Sequence, residues 1–261
     1  MASFLGDEVV VFYVDGESGD DAHNDTQAST KGTAWKTIDH AFSRIASHDA
    51  GTPGDGTEVR ICATSRPTIY GTDLGSGENS IWEFDVQTAD HTQISNLIFD
   101  GADATNCHHC IHFSTNNNHN VKFLNCRFRQ AADHGVDFDG QANYTMFINC
   151  QFDNNGGKGM YENSTQFGLV YKCLFNDNAS DGGFFSAHAR IVQSVFYNNG
   201  NDGCRVSTSG AVICGCVFED NTSDGLYITG TGMCHISDSV STGNGAYGWN
   251  VASGSEAIFF E

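Results

Sequence analysis

The amino-acid sequence predicts an all-β solenoid, and three observations lead to this prediction. Apolar residues occur in short runs and alternations, and few windows show the 3.6-residue period of a helix. A short motif of the form Asn-Cys-x-Phe, with substitutions, recurs five times, and its phenylalanines follow one another at intervals of 21 to 24 residues. A glycine stands seven positions after each phenylalanine, and repetition of this length indicates a solenoid. The phenylalanines are Phe128, Phe152, Phe175, Phe196 and Phe218.

The repeated motif predicts the interior of each coil. Side chains alternate between the two faces of a strand, so the phenylalanine and the residue two positions earlier point the same way. We expect both columns to lie inside the solenoid, where a buried thiol behaves as a small apolar group. Reduced thiols fit synthesis in a reducing compartment, and disulfides are the alternative. The cysteines of this column are Cys126, Cys150, Cys173 and Cys216.

Asparagine and glycine columns predict the corners of the coils. An asparagine three positions after the phenylalanine tolerates unusual backbone angles, and stacked amides can hydrogen-bond from coil to coil. We therefore expect an asparagine ladder at Asn155, Asn178, Asn199 and Asn221. We expect the glycines to turn the chain with positive φ angles. They are Gly135, Gly159, Gly182, Gly203 and Gly225.

The chain divides into an N-terminal part, residues 1–56, and a solenoid, residues 57–261, with regular coils from about 94 to 250. Residues 9–14 read as a strand and residues 15–33 as a loop. Apolar residues at 35, 38, 41, 42 and 45 predict a short helix over 34–46. Such a helix would cap the open end of the solenoid. Further strands are expected at 58–62, 80–84, 93–99 and 257–260.

The N-terminal part resembles a known family. Tyr13-Val14-Asp15 at the end of a strand, an Asp- and Gly-rich loop and Trp35-Lys36-Thr37-Ile38 at the start of a helix are similar to the beginning of pectate-lyase-like β-helix proteins. The resemblance implies a single-stranded right-handed parallel β-helix with a short N-terminal capping helix. That family includes polysaccharide lyases and hydrolases as well as phage tailspikes and other virion surface proteins. It therefore implies a fold and leaves the chemistry open.

A second strand is predicted after each glycine, and its outward column is the candidate functional surface. Three aromatic residues stand in this column, where a sheet face turned to solvent should be mostly polar. Three interpretations stay open: a subunit interface, a face covered by loops of the same chain, or a glycan-binding groove. The column consists of His112, Asp137, Tyr161, Phe184, Arg205, Tyr227 and Asn250.

Catalytic motifs are scarce. Hydrolysis of a glycan needs two carboxyl groups, and acidic turn residues are too abundant here to single out a pair. Asp133-His134-Gly135 partly resembles one segment of polygalacturonases, and the other segments are missing from the repeats. The sequence therefore leans away from an enzyme. If the protein is one, Asp137, Glu162 and Arg205 are the candidate catalytic residues.

Three further features have two interpretations each. Glu162 and Asp238 fall in columns that are otherwise apolar or cysteine. A bulge that turns these side chains outward is favoured over a buried, functional carboxylate. The segment Cys107-His108-His109-Cys110 has the spacing of half a zinc site, and His119 or His134 would have to complete it. We expect no metal and no cofactor.

Charge and hydropathy exclude some partners. With 12 basic residues against 32 acidic ones the net charge is −20, which argues against nucleic acid and against an anionic membrane surface. No apolar run approaches the ~20 residues that a membrane span requires. The N-terminus lacks the basic and apolar regions of a signal peptide.

The leading functional prediction is a structural or adhesive protein of a virion surface, such as a phage capsid decoration, spike or fibre module, made in the host cytoplasm. By family resemblance we expect a homotrimer attached to a capsid or tail protein, with a host glycan as a further partner. We also expect a partner chain or a further C-terminal part to cover the last coil. The alternatives are a polysaccharide lyase or glycoside hydrolase, or a glycan-binding module without catalysis, located outside the cell.

Overall fold

The computed structural model describes residues 9–14, 22, 58–63, 68–70, 80–84, 93–102, 107–113, 118–119, 121–139, 142–163, 168–186, 188–207 and 210–260. These residues form a right-handed parallel β-helix, in which paired strands run parallel and successive coils lie side by side. Within these ranges, no helix is both long enough and apolar enough to cross a membrane.

Three long sheets run along the solenoid, and their strands are given in hydrogen-bonded order. The first sheet has ten strands: Val9–Val14, Glu58–Ala63, Gln93–Ser95, Lys122–Leu124, Met146–Ile148, Leu169–Tyr171, Arg190–Val192, Val212–Cys214, Met233–Ser237 and Glu256–Phe260. The second has eight: Thr68–Tyr70, Ile98–Asp100, Arg127–Arg129, Gln151–Asp153, Leu174–Asn176, Val195–Tyr197, Val217–Glu219 and Val240–Thr242. The third also has eight: Ser80–Phe84, His109–Phe113, Val136–Phe138, Met160–Glu162, Gly183–Phe185, Cys204–Val206, Leu226–Ile228 and Trp249–Val251. A small fourth sheet pairs Asn118–His119 with Ala142–Asn143.

Each regular coil contributes one strand to each long sheet, and the sequence analysis had identified only two of the three. The missing strand lies directly before the cysteine, in the first sheet. Asn125, with a φ of 55°, separates Lys122–Leu124 from Arg127–Arg129. Likewise, residues 93–99 form two strands, because Asn96 adopts a φ of 61°. A left-handed residue breaks one apolar run into two short strands.

The interior contains the predicted phenylalanine column. Six phenylalanines in the second sheet stack ring on ring, with centroids 4.5 to 5.2 Å apart. All six are fully buried, and offset stacking adds to the free energy of burying their apolar surface. The column runs through Phe99, Phe128, Phe152, Phe175, Phe196 and Phe218.

The cysteine column is also inside, as predicted. Cys126, Cys150, Cys173 and Cys216 are buried free thiols. Each Sγ lies 3.4 to 3.7 Å from two backbone carbonyl oxygens, so the thiol is both packed and a weak hydrogen-bond donor.

The asparagine ladder is confirmed and extends one coil further, to Asn244. Each side-chain amide nitrogen donates to the Oδ1 of the next asparagine at 2.8 to 3.0 Å. The same nitrogen donates to a phenylalanine carbonyl oxygen of the preceding coil, for example from Asn199 to Phe175 at 3.1 Å. Each Oδ1 also accepts a backbone N–H, as Asn221 does from Asn199 at 3.1 Å. Buried amides of this column are therefore fully hydrogen-bonded.

The glycines seven positions after each phenylalanine do not have positive φ angles, so that part of the corner prediction was wrong. Their role is close packing between coils. A Cβ added at Gly182 would stand 2.5 Å from the carbonyl oxygen of Gly203 and 2.8 Å from Nδ2 of Asn199. The positive φ angles fall instead on the residue before each cysteine and on the residue before each ladder asparagine, such as Asn154 and Asn198.

The two ends of the solenoid agree with the predicted strands. The strand Val9–Val14 pairs with Glu58–Ala63, and Glu256–Phe260 pairs with Met233–Ser237. The helix predicted over 34–46 lies outside the described residues. The last coil leaves Val240, Tyr247, Phe259 and Phe260 more than half exposed.

Candidate functional site

The outward column of the third sheet is continuous, because its seven residues pair one to one across neighbouring strands. Strand register places His112 beside Asp137, Asp137 beside Tyr161, and so on to Asn250. The column is less exposed than predicted. His112 and Asp137 are buried, at 7% and 5% exposure, and the other five residues are half-buried.

Four side chains near the N-terminal end of this column form what we call the acid–histidine cluster: His109, His112, Asp137 and Asp139. Oδ2 of Asp137 lies 3.4 Å from Nε2 of His109 and 3.7 Å from Nε2 of His112. The same nitrogen of His112 is 3.7 Å from Oδ2 of Asp139. Asp137 and Asp139 are two positions apart, so both side chains project from the same face. The cluster thus gathers two imidazoles around two carboxylates.

His109 is the neutral member of the cluster. Burial, with smaller contributions from the nearby His134 and His112, lowers its pKa to about 3. Its Nδ1 accepts the backbone N–H of His134 at 3.3 Å, which leaves the ring proton on Nε2. That proton faces the Asp137 carboxylate, so His109 holds Asp137 in place.

His134 lies between the cluster and Tyr161. Its ring centroid is 5.4 Å from that of His109 and 5.2 Å from that of Tyr161. Nδ1 of His134 is 3.0 Å from the Lys158 backbone nitrogen and also 3.0 Å from Oδ1 of Asp133. The neutral ring can accept from Lys158, and the protonated ring can donate to Asp133. That hydrogen bond to His134 lowers the pKa of Asp133. The ring of His134 therefore has a hydrogen-bond partner whether it is neutral or protonated.

Tyr161 is a protonated phenol in this setting. Burial raises its pKa, and the negative charges of Asp137 and Asp139 raise it further. The Nζ of Lys158 lies 5.2 Å from the centre of the Tyr161 ring, within cation–π range. A phenol that keeps its proton beside an imidazole that can take one up forms a potential acid–base pair.

Aromatic faces and one cation continue the column toward the C-terminus. The Arg205 guanidinium carbon is 5.7 Å from the Phe184 ring centre and 5.2 Å from that of Tyr227. Its Nε has no hydrogen-bond partner among the described residues. Stacking therefore orients the guanidinium. Asn250, at the end of the column, donates to Oδ2 of Asp224 at 2.6 Å.

Glu162 contradicts the prediction of an outward side chain, whereas Asp238 is exposed as expected and only its assignment to an inward column was wrong. Glu162 is fully buried and lies in a strand that pairs in register on both sides, so no bulge turns it outward. Its Oε2 accepts the Ser186 N–H at 2.9 Å. Asp238 is exposed with a φ of 48°, and Ser239 occupies the cysteine column.

The Cys107 and Cys110 thiols point into the core. Sγ of Cys110 contacts the carbonyl oxygens of Phe99 and Arg129 at 3.4 Å, and Sγ of Cys107 contacts that of His109 at 3.6 Å. Burial raises the pKa of Cys107 to about 11 and raises that of Cys110 well above its ordinary value, which disfavours the thiolate that binds zinc. His134, one proposed completing ligand, faces Tyr161 instead, and the side chain of His119 lies outside the described residues.

The predicted outward column did not include His109, His134, Lys158 or Asp139, although His109 and His134 belonged to the zinc hypothesis. They come from corners and strand ends, where a period-two pattern does not assign a direction. One signal was available: His112 and Asp137 occupy equivalent positions in successive coils. Asp139 is the next outward position after Asp137.

Several solved structures have a similar fold. The Azotobacter vinelandii mannuronan C-5 epimerase AlgE4 A-module is 17% identical, with 94% of this chain and 76% of that chain covered and a TM-score of 0.66. Geobacillus virus E2 ORF18 is 18% identical, covering 77% of this chain and 49% of that chain, at a TM-score of 0.59. Pectate lyase Pel9A is 13% identical, with 97% of this chain and 75% of that chain covered and a TM-score of 0.56. The aligned part thus spans about half of the viral protein.

A comparison with curated protein sequences finds no match. A family model described as "Right handed beta helix region" matches residues 109–261, which is more than half of the chain. Together with the parallel three-sheet coil, this match shows that the chain belongs to the right-handed β-helix family.

Proposed function

We propose that the protein is a polysaccharide lyase that cleaves a glycan containing uronic acids along the outward column of the third sheet. The observation that carries the proposal is the pair His134 and Tyr161, a base and an acid whose rings lie 5.2 Å apart beside the acid–histidine cluster. The sequence analysis held this function as an alternative to a structural role.

In the proposed reaction Nδ1 of His134 releases the Lys158 N–H, removes the proton from the sugar carbon next to the carboxylate and then donates in a hydrogen bond to Asp133. The bond between the neighbouring carbon and the glycosidic oxygen breaks, and its electron pair goes to that oxygen. The Tyr161 hydroxyl protonates this oxygen, and a carbon–carbon double bond remains in the sugar. Acid–base assistance of this kind typically contributes ~10²- to 10⁴-fold to a rate.

Charge on the carboxylate must be neutralised for the ring proton to become acidic. Lys158 stands over the Tyr161 ring and supplies a positive charge at the reacting sugar. Arg205, two coils further along, would bind the carboxylate of another sugar at roughly 10 Å, since coils are about 4.8 Å apart. Phe184 and Tyr227 offer faces on which sugar rings can stack.

The structural relatives support the choice of substrate. Two of them are named for mannuronan and pectate, both of which carry carboxylates. At these identities the likeness concerns the fold, so the proposal depends on the residues of the site.

Incubation of the purified protein with alginate, pectate and a neutral glycan tests the proposal. We expect the ultraviolet absorbance of an unsaturated sugar to rise with at least one acidic glycan. Tyr161→Phe should reduce this rate by about 10²-fold or more, because it removes the proton donor. Arg190→Gln, which changes an exposed residue of the first sheet, serves as the control and should keep the rate.

Cleavage without unsaturated ends would identify a hydrolase and contradict the lyase mechanism. Glycan binding without any product would leave a non-catalytic binding module. Equal rates in Tyr161→Phe and the unchanged protein would remove Tyr161 from the mechanism.

We propose, as a second candidate function, a surface module of a tailed-phage virion, assembled as a homotrimer on a capsid or tail protein. The observation that favours it is the structural likeness to the Geobacillus virus protein. The exposed aromatic residues of the last coil, Tyr247, Phe259 and Phe260, would supply contact surface. The two proposals are compatible, because a virion surface protein can also degrade a host glycan.

Light scattering of the purified protein gives the mass that tests this second proposal. A mass three times that of the chain is expected, and Phe259→Ser with Phe260→Ser should shift it toward the monomer. A monomer at all concentrations would contradict the trimer.

A further inference from the structure

The acid–histidine cluster has the geometry of a metal site, which the sequence analysis did not anticipate. One nitrogen of His112 and one oxygen each of Asp137 and Asp139 lie within 4.8 Å of one another. Donors bound to a single ion at about 2.0–2.2 Å stand roughly 3 to 4.4 Å apart. The two distances of 3.7 Å from His112 to the carboxylates fall in this range. The carboxylate oxygens of Asp137 and Asp139 lie within 4.8 Å of each other, so the three donor atoms can share one ion after a small adjustment of the side chains.

Strand register brings these donors together. His112 and Asp137 are direct neighbours in adjacent parallel strands, and Asp139 is the next outward position of the second strand. No loop movement is needed to assemble them, which makes the arrangement preorganised.

Electrostatics favours a cation at this point. Asp137 is 5% exposed and close to the second carboxylate of Asp139, and two neighbouring negative charges repel each other where water is scarce. A divalent ion would offset this repulsion. Asp139 has 59% of its side chain exposed, so the point can be reached from solvent.

His109 adds the outer support that metal ligands usually have. Its Nε2 faces Oδ2 of Asp137 at 3.4 Å, and its Nδ1 is fixed by the backbone of His134. A hydrogen bond to a ligand carboxylate fixes its orientation and raises metal affinity.

We propose that His112, Asp137 and Asp139 bind a divalent transition-metal ion, such as zinc, manganese, cobalt or iron(II). The imidazole selects this class over calcium and magnesium, which prefer oxygen donors alone. The inference goes beyond the proposed lyase function, because the ion can bind whether or not a glycan is cleaved.

Metal binding to tag-free, chelator-treated protein tests the inference directly. The protein is dialysed against zinc, cobalt or calcium, and the bound metal is counted by inductively coupled plasma mass spectrometry. We expect one zinc or cobalt ion per chain and much weaker binding of calcium. Bound cobalt should show the weak visible bands of a nitrogen and oxygen site, without the charge-transfer band of a thiolate.

Two variants and two matched controls locate the ion. Asp139→Asn and His112→Gln should each weaken zinc binding by about 10- to 100-fold. Asp220→Asn and His188→Gln, which change exposed residues of later coils, should leave it unaltered. Circular dichroism verifies the fold of each variant, and Asp139 is exposed enough that its amide is tolerated.

Equal binding in the cluster variants and the controls, a thiolate band, equal affinity for calcium, or no bound metal would each overturn the inference. The assay contains no glycan. A protein that binds zinc and cleaves no glycan would therefore contradict only the lyase proposal, and the reverse result would contradict only the metal site.

Discussion

The asparagine ladder is buried and the acid–histidine cluster is buried except for Asp139, and the two differ in composition and in how many of their hydrogen-bonding groups have partners. In the ladder, Asn155, Asn178, Asn199 and Asn221 repeat one residue type, and each amide nitrogen meets two acceptors. In the cluster, neighbouring coils contribute different ionisable residues, and their contacts are 3.4 to 3.7 Å long.

This difference in composition indicates that the ladder stabilises the fold and that the cluster is suited to chemistry. Identical residues in register satisfy each other and leave nothing to bind a ligand. Histidine, aspartate and tyrosine in adjacent coils keep proton-transfer and ligand-binding capacity at a stability cost. Four substitutions test this separation between stability and chemistry, and their expected effects decrease from His134 to Cys216.

Substitution His134→Ala should lower glycan cleavage by about 10²- to 10⁴-fold, because the proposed base is lost. The free energy of unfolding should fall by only about 1 kcal/mol, since one hydrogen bond from the Lys158 N–H disappears. Initial rates and urea unfolding give the two quantities. A large stability loss with an unchanged rate would place His134 with the ladder instead.

Substitution Asn199→Ala should have the opposite profile. It removes hydrogen bonds to Asn221 and Phe175 and leaves buried partners unsatisfied, for a loss of about 2–4 kcal/mol in unfolding free energy. Activity at a temperature where the variant is folded should be retained. Asn198→Gly is the matched control, because Asn198 is exposed with a φ of 53° that suits glycine. A similar loss in both variants would contradict a special role for the ladder.

Substitution Arg205→Ala should raise the KM for an acidic glycan by roughly 10-fold, about 1.4 kcal/mol, and leave kcat nearly unchanged. Arg205→Lys should recover part of the affinity, because it keeps the charge but loses the planar stacking on Phe184 and Tyr227. A fall in kcat alone would indicate that Arg205 acts on the reacting sugar.

The smallest effect concerns alkaline pH and the thiol column. Burial raises the pKa of Cys216 from 9.0 to about 11, so the unfolded chain loses this thiol proton first as pH rises. The stabilising contribution is therefore complete below pH 9 and is lost as pH rises toward 11. At pH 10, Cys216→Ser should reduce the alkaline destabilisation by about 1 kcal/mol. Ser194 and Ser239 already occupy this column, so serine fits there. Urea unfolding at pH 7 and pH 10 measures the effect, and an identical pH dependence in both proteins would contradict it.

The sequence predicted the columns in which one residue type repeats, and it missed the strand that repeats without a common residue type. Phenylalanine, cysteine and asparagine recur at a fixed interval, so their columns followed from alternation and stacking. The first-sheet strand before each cysteine was missed because left-handed turns fall on dissimilar residues, such as Asn149, Lys172 and Gln193. The glycines were expected to have positive φ angles, but they are needed for close packing between coils. Such packing depends on residues of the next coil and cannot be recognised from the neighbouring sequence.

The candidate site was only half predictable. His112, Asp137 and Tyr161 followed from the register of the outward column. His109 and His134 come from a strand start and a corner, and their imidazoles meet across 25 residues of sequence only when the coils stack. Glu162 was expected to turn outward because no partner for a buried carboxylate stands near it in the sequence. Its partner, the Ser186 N–H, comes from the next coil.

Coil-to-coil register has an evolutionary and engineering consequence. The residue Leu169 is equivalent to Arg190, so excision of residues 169–189 would remove one complete turn of the solenoid and join matching positions. The phenylalanine and asparagine columns would close over the gap. The span from Tyr161 to Arg205 would then shorten by one coil, about 4.8 Å. Duplication or loss of a single coil thus changes the distance between a reaction centre and a charge-binding position by one fixed increment, the spacing between coils.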